Sequence, residues 1–406
     1  MKVVKIIIIL FFVVSCKINT SGDVFNNIIQ FKQGYNYPQI NLNLSDIADI
    51  EFIRLRDSDS AYISQPYFRK NTYVDNHGIV IGNYTALDIT AFGIYRFDKE
   101  GNFLNKISGF GRGPGEVASL AKMSVASDSS LLLYGRQESK VIKISLSGEY
   151  LGAWNLPSGH SEIESLDNFV IVYDELSKLI LTNGQIVERG APLKIYDLVT
   201  SKVTDLLTDE YTNGIIHDNR DGYSNSKLIS THSNLIKTQN GVYFSSFRFD
   251  TVYYINKNLQ VIPKISVIKQ KKLDECYTVL PIIDVDDYIL LKEVYGSTLA
   301  PKNRQSNYYI FIKNEDKIYQ IDNDYINEQN PESSSLFKNK LFLANFMVSL
   351  NHNLLCMYYT YDDVETCYNE MPDSLKSNFY SITENDNPML AIIKFRNFQK
   401  KSKSAE

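Results

Sequence analysis

Tryptophan occurs once in the 406 residues, cysteine four times and histidine five times. The histidines, His77, His160, His217, His232 and His352, show no His-x-Glu or His-Glu-x-x-His spacing, so no contiguous zinc motif is written here. None of Cys16, Cys276, Cys356 and Cys367 sits in a C-x-x-C pair. There is no Gly-x-Ser-x-Gly nucleophile elbow. The two Ser-x-x-Lys matches, at Ser119–Lys122 and Ser335–Lys338, lack the Ser-Asp-Asn and Lys-Thr-Gly that would give them meaning. Basic blocks are missing too: none exceeds Lys400-Lys401-Ser402-Lys403, and the net charge is −5, which excludes a nucleic-acid surface. The one marked apolar run, Ile6–Val14, has nine residues, too few for a membrane-spanning helix. No long stretch carries apolar residues at a 3.6-residue period.

What the chain does hold is tyrosine (28), phenylalanine (21) and aliphatic residues in alternation, the composition of pleated sheet. One ten-residue phrase recurs: alternating apolar residues, a turn of Asp, Asn or Gly, then another apolar residue. It stands at Ile94–Leu104, Val141–Leu151, Leu193–Val203 and Val252–Val261, with weaker copies at Tyr309–Ile318 and Ala391–Arg396. The first four intervals are about 50 to 60 residues, the size of one four-stranded propeller blade. Short apolar strands precede each phrase, as at residues 78–82, 130–134, 169–173, 241–244, 288–291 and 352–359. Six phrases predict an all-β, six-bladed β-propeller. Seven blades is the alternative count, since the last interval is long and contains the polar stretch Asp322–Ser335. The segment Asn43–Arg56 is expected to close the ring as an N-terminal strand beside Ala391–Arg396.

The ends divide the chain. Lys2, Lys5 and the run Ile6–Val14 read as a signal peptide over residues 1–15, and Val13-Val14-Ser15-Cys16 resembles the lipobox at which a bacterial lipoprotein is acylated on cysteine. Cys16 is thus the candidate lipidation site and the lipid bilayer a partner. Residues 16–35 read as a tether, 36–398 as a single propeller domain and 399–406 as a disordered tail. Outside the cytoplasm Cys356 and Cys367 have the option of a hairpin disulfide.

Two segments resemble a known family. Leu44-Ser45-Asp46-Ile47-Ala48-Asp49-Ile50-Glu51-Phe52-Ile53-Arg54-Leu55 is similar to the "LSDIIDSIEYIPLE"-type opening of the six-bladed β-propeller lipoproteins of Bacteroides-like bacteria, relatives of the NHL-repeat propellers. Gly109-Phe110-Gly111-Arg112-Gly113-Pro114-Gly115-Glu116 resembles that family's "G-x-G-R-G-P-G-E" link after the first blade. Arg54 stands where the family usually has proline, and Val117 where an aromatic is common. The resemblance implies fold and an outer-membrane location, facing the periplasm or the cell surface. It implies no activity.

Few residues suggest chemistry. In the link, Gly109, Gly111, Gly113 and Gly115 permit tight turns, Pro114 argues against a phosphate loop, and Arg112 and Glu116 are expected to pair or to bind backbone. The 217–222 loop lacks the ligands of a calcium loop. Asp284, Asp286 and Asp287 are candidates for a cation at the channel mouth, and a divalent cation in the central channel is the one cofactor the reading leaves open. Trp154 and the pairs Tyr253-Tyr254, Tyr308-Tyr309 and Tyr358-Tyr359 read mainly as packing between blades. The sum points to a non-catalytic envelope module binding a protein or a glycan. The alternative is a metal-dependent propeller hydrolase or lyase of the lactonase kind.

Overall fold

The computed structural model describes residues 28–40, 42, 44–56, 61, 63, 71–75, 77–83, 93–135, 138–156, 162–174, 178–180, 186–188, 191–207, 215–216, 234–246, 249–269, 275–297, 305–321, 348–349, 353–359, 361, 364–365, 368, 376, 379, 383 and 386–398. Cys16, Cys367, the 217–222 loop, Asp322–Ser335 and the tail lie outside these residues.

Three short strands come first: β1 (Ile29–Lys32), β2 (Gln39–Ile40) and β3 (Ala48–Arg54). Six sheets then follow in chain order. Blade 1 is β4 (Thr72–Asp75), β5 (Gly78–Asn83), β6 (Gly93–Phe97) and β7 (Phe103–Gly109). Blade 2 is β8 (Leu120–Val125), β9 (Leu131–Gly135), β10 (Lys140–Ile144) and β11 (Tyr150–Asn155). Blade 3 opens with β12 (Glu162–Leu166) and β13 (Phe169–Tyr173). It breaks for the small strands β14 (Lys178–Ile180) and β15 (Ile186–Glu188), then resumes with β16 (Leu193–Asp197) and β17 (Val203–Leu207). β18 (Ile215–Ile216) joins β14 and β15 in a separate three-stranded sheet. Blade 4 is β19 (Asn234–Lys237), β20 (Gly241–Ser245), β21 (Thr251–Asn256) and β22 (Val261–Ile268). Blade 5 is β23 (Glu275–Asp284), β24 (Tyr288–Ser297), β25 (Gln305–Ile312) and β26 (Lys317–Ile321). Blade 6 is β27 (Val348–Ser349), β28 (Leu354–Tyr359), β29 (Met389–Phe395) and, as its outermost strand, β3.

The protein is a six-bladed β-propeller. Its closure is visible in the core, which divides into six clusters, one at each junction between neighbouring blades. Val80, Ile94 and Ile107 meet Leu133 and Ile142 between blades 1 and 2. Tyr134 and Val141 meet Val170 and Val172 between blades 2 and 3, and Tyr173 and Ile195 meet Phe244 and Ile255 between 3 and 4. Val252 and Ile265 meet Val279 and Ile289 between 4 and 5, and Leu290 and Ile310 meet Tyr359 and Ile393 between 5 and 6. Ile53, Tyr358 and Leu390 meet Ile81 and Phe97 across the last junction. Strands with apolar residues on both faces bury both. The aromatic pairs obey this: Tyr308 packs toward blade 6 and Tyr309 toward blade 4, while Tyr358 faces blade 1 and Tyr359 faces blade 5.

The latch is the antiparallel pairing of β3 with β29, with Ile50 opposite Ile393 and Ile53 opposite Leu390. The N-terminal segment does more than this. β1 adds in parallel to the outer edge of blade 4, with Ile29 opposite Ile265, and β2 adds in parallel to blade 5, with Ile40 opposite Ile321. Ile29–Lys32 therefore belongs to the ring, although it falls in the stretch 16–35 that reads as tether. The side chain of Phe31 decides this: it is fully buried, edge-on to Tyr309 at 4.9 Å.

Strand order also sorts the connections. The first-to-second turns of the blades and the third-to-fourth turns of blades 1 to 5 lie on one face, here the lower. The second-to-third connections and the links between blades lie on the other, the upper. The recurring phrase is thus a lower-face turn. In blades 1 to 5 one residue of that turn takes a left-handed conformation: Gly101, Gly148, Ser201, Leu259 and Asp316. Side chains of Asp98, Ser145, Asp197 and Asn256 accept backbone N–H groups across four of these turns.

Candidate functional site

The innermost strands of blades 2, 3 and 4 bring five polar side chains together at the axis of the ring. Lys122 and Ser124 come from β8, Glu164 and Ser165 from β12, and Lys237 from the end of β19. Ser124 donates its hydroxyl to Glu164 Oε1, and the Ser165 N–H reaches the same oxygen at 2.9 Å. Ser124 and Ser165 share a hydroxyl contact at 2.8 Å, and Lys122 Nζ stands 3.7 Å from Glu164 Oε2. Lys237 Nζ donates to the Val125 carbonyl at 2.6 Å and to Ser165 Oγ at 2.7 Å. Burial lowers the Lys237 pKa, and the negative charges of Glu164 and Asp167 oppose that shift. A buried carboxylate with one oxygen hydrogen-bonded and an ammonium 3.7 Å from the other is electrostatically satisfied. It fastens three blades at the axis.

Similar polar ties cross other junctions. Thr72 and Tyr358 share a hydroxyl contact between blades 1 and 6, and Asn71 Oδ1 accepts the Met123 N–H at 2.8 Å between blades 1 and 2. Ser245 donates to the Val279 carbonyl at 2.7 Å between blades 4 and 5.

Two charged residues sit back to back on β24. Glu293 is buried on the side of blade 4, where Tyr277 donates to it at 2.5 Å and Asn307 and Tyr309 donate at 2.8 Å. Burial first, then the Glu293 charge, pushes the Tyr277 and Tyr309 pKa values well above the ordinary range. Lys292 is buried on the opposite side, and burial lowers its pKa to about 8.

Sequence reasoning missed Lys122, Glu164, Lys237, Lys292 and Glu293. Their signal was available, because a charged residue at a core position of an apolar strand needs a partner or carries a cost.

The link Gly109–Glu116 runs from the outer strand of blade 1 to the inner strand of blade 2 on the upper face. Its order is internal. Glu116 Oε2 accepts the Gly113 N–H at 2.9 Å, Val117 N–H donates to the Gly109 carbonyl at 3.3 Å, and Ser108 Oγ donates to the Gly115 carbonyl at 2.6 Å. Glu116 thus turns to backbone N–H rather than to Arg112, which is exposed, as is Phe110 beside it. Gly115 has φ +80°, and a Cβ on Gly111 would collide with Glu116 Oε2 at 1.9 Å. Pro114 is exposed on the same turn.

The acidic cluster does not converge. Asp284 accepts from Tyr243 and Lys313, both at 2.7 Å, whereas Asp286 and Asp287 hold Asn397 and the Phe398 N–H. Among the described residues no three His, Cys, Asp or Glu side chains come together as a metal site. Ser119 donates to Glu138 while Lys122 faces Glu164, so the first Ser-x-x-Lys match serves two separate contacts.

The fold has counterparts. The chain belongs to the family described as "Domain of unknown function (DUF4934)", matched over residues 26–394. In structure it is similar to an exported protein of Bacteroides fragilis, with 15% identity and a TM-score of 0.62 over 91% of this chain and 100% of that one. It is also similar to a member of the duf4221 family from Bacteroides vulgatus, with 11% identity and a TM-score of 0.49 over 86% of this chain and 98% of that one. At these identities the likeness is one of fold. No curated protein matches the sequence.

Proposed function

We propose that this protein is a non-catalytic binding or scaffold module of the cell envelope, anchored through acylated Cys16 and meeting a protein or glycan through the upper face of the ring. One observation carries the reading: strand order places every link between blades and every second-to-third connection on one face, while the other holds tight turns, the entry to β3 and the end of β29. Binding residues concentrate on connections held by a rigid scaffold. The axial network of Glu164, Lys122 and Lys237 supplies that rigidity, and the exposed pair Phe110 and Arg112 offers an aromatic ring and a guanidinium on the upper face. The fold neighbour described as exported supports the location.

The test is a binding screen of the purified ring against envelope proteins and polysaccharides. A ligand held by the wild type and weakened at least tenfold by combined Phe110→Ala and Arg112→Ala supports the reading. A ring that binds nothing and turns over a small molecule sinks it.

A further inference from the structure

The link Gly109–Glu116 and the outer hairpin of blade 2 meet on the rim between blades 1 and 2. The twist of the outer strands carries the β10–β11 turn across β7. Asn105 Nδ2 donates to the Leu146 carbonyl at 3.3 Å, and a Cβ on Gly148 would stand 3.0 Å from the Ile107 carbonyl oxygen. Gly115 of the link is buried against the same hairpin. A Cβ there would lie 3.4 Å from Ile144 Cδ1 and 3.8 Å from Tyr150 Cβ.

Two exposed aromatic rings flank this contact. Phe110 forms a parallel bridge with Val117, which is buried in the cluster between blades 1 and 2. Bridge partners direct their side chains to the same side, so Phe110 turns toward blade 2, and it is 42% exposed. Tyr150 pairs with Ile144 of the same cluster, turns toward blade 1 and is 43% exposed. The link runs from the first ring to the second with Arg112 exposed upon it. Glu116 Oε2 is held inward by the Gly113 N–H, which leaves the guanidinium turned to solvent. Glu149, exposed beside Tyr150, is an acceptor for hydroxyl groups.

Area and shape choose among ligands. Each ring exposes about 80 Å², from the usual size of an aromatic side chain. Even with Arg112 added, that is well short of the ~800 Å² per partner that a stable protein interface needs. A peptide is read through side-chain pockets, and here the floor beside Gly115 is filled by Ile144 and Tyr150. A sugar needs neither. The C–H face of a pyranose lies flat on the negative face of an aromatic ring, and its hydroxyls suit a carboxylate such as Glu149. A guanidinium fork matches a single carboxylate on the ligand.

We propose that this junction binds a glycan through a uronic acid residue, with its ring on Phe110 or Tyr150 and its carboxylate on Arg112. The inference rests on the binding role proposed above and names the class of ligand. The experiment probes the full chain, purified in detergent, on an array that sets glucuronic, galacturonic, mannuronic and guluronic acid oligomers beside their neutral hexose counterparts. Retention on at least one uronic series about tenfold above its neutral counterpart is expected, the scale of a charge-assisted pair. Arg112→Gln should abolish that preference, and combined Phe110→Ala and Tyr150→Ala should weaken retention of the acidic oligomer about tenfold. Lys257→Gln, which removes an exposed cation on blade 4, should change neither. Equal retention of acidic and neutral oligomers, or none of either, overturns the inference. So does a loss with Lys257→Gln as large as with Arg112→Gln, or competition by poly-glutamate as strong as by the uronic oligomer, since both mean capture by charge alone. A ring that retains no glycan but holds an envelope protein, released by combined Phe110→Ala and Arg112→Ala, overturns this inference and leaves the proposed function standing.

Discussion

Lys237, on blade 4, donates to the carbonyl of Val125, on blade 2, at 2.6 Å, passing over the inner strand of blade 3 to do so. One ammonium therefore ties two blades that are not neighbours, and its contact with Ser165 Oγ includes the blade between them. Removing the charge while keeping the stem, as in Lys237→Met, takes a counter-charge from Glu164 and a donor from Ser165 Oγ, and leaves the Val125 carbonyl only the Ser165 hydroxyl, at 2.6 Å. A loss of about 2 kcal/mol is expected, the scale for hydrogen bonds from a charged group. Urea unfolding reads it, with Lys257→Met, an exposed turn residue, expected to stay within about 0.5 kcal/mol of the wild type.

Lys292 gives the opposite sign. Its pKa of about 8 in the fold lies below the ordinary 10.5 because burial disfavours the ammonium. A lysine whose pKa falls on folding destabilises the fold wherever the unfolded chain holds more of the proton, and stability then rises with pH between the two values. Lys292→Met is therefore expected to stabilise the protein at pH 7, by at most about 3 kcal/mol. The advantage should shrink steadily from pH 8 to pH 10.5. Unfolding midpoints at pH 7 and pH 9.5 measure both effects, and an unchanged gap between them would show that Lys292 is charged in both states.

Glu293 is the hub of three donors, so the identity of its replacement matters more than its loss. Glu293→Leu leaves the hydroxyls of Tyr277 and Tyr309 and the amide of Asn307 buried without their acceptor. A cost of about 2–4 kcal/mol follows. Glu293→Gln keeps one acceptor oxygen and is expected to cost about half as much. Thermal melts of the two variants distinguish a hydrogen-bond hub from simple space filling, under which both would fall alike.

Gly101 occupies a turn, yet the consequence of replacing it is felt in the latch. Its φ is +82°, and an added Cβ would stand 2.1 Å from the Arg54 carbonyl oxygen of β3. The equivalent glycine of blade 2, Gly148, has φ +94° and leaves 3.0 Å to the Ile107 carbonyl oxygen of blade 1. Left-handed strain alone costs about 1–2 kcal/mol, which is the expectation for Gly148→Ala. Gly101→Ala must also push the latch aside and should cost about 3 kcal/mol or more by that addition. Reversal of this order in chemical denaturation would mean that the latch moves freely over the turn.

These positions show what the sequence could and could not reveal. Alternation and turn residues are local, so the six phrases, the inner strands and the latch strand Ala48–Arg54 were readable from neighbours in the chain, though Leu44–Ile47, ahead of it, is a helical turn. The second role of Gly101 was not, because the Arg54 carbonyl comes from another blade. β1 was hidden for the same reason: Ile29–Lys32 is four residues long, and its partner β22 lies more than two hundred residues onward. Parallel pairing across that distance leaves no turn to mark it. The axial cluster was legible only in part. Glu164 and Lys237 announce themselves as charges within apolar strands, but which charge meets which depends on the order of blades around the axis. Asp284, Asp286 and Asp287 show the converse: adjacency in sequence suggested one site, but Asp284 ends a strand and the other two lie in the turn after it, each with its own partners.

The pairing of β3 with β29 sets a timetable for the ribosome. Some 335 residues separate Arg54 from Met389, so at about 5–20 residues per second the first strand of the latch is synthesised roughly 20–70 s before the strand that receives it. Throughout that interval the edge of β3 has no mate, and the strands that cover blades 4 and 5 wait as well. Closure of the ring therefore waits for the strand that is made last.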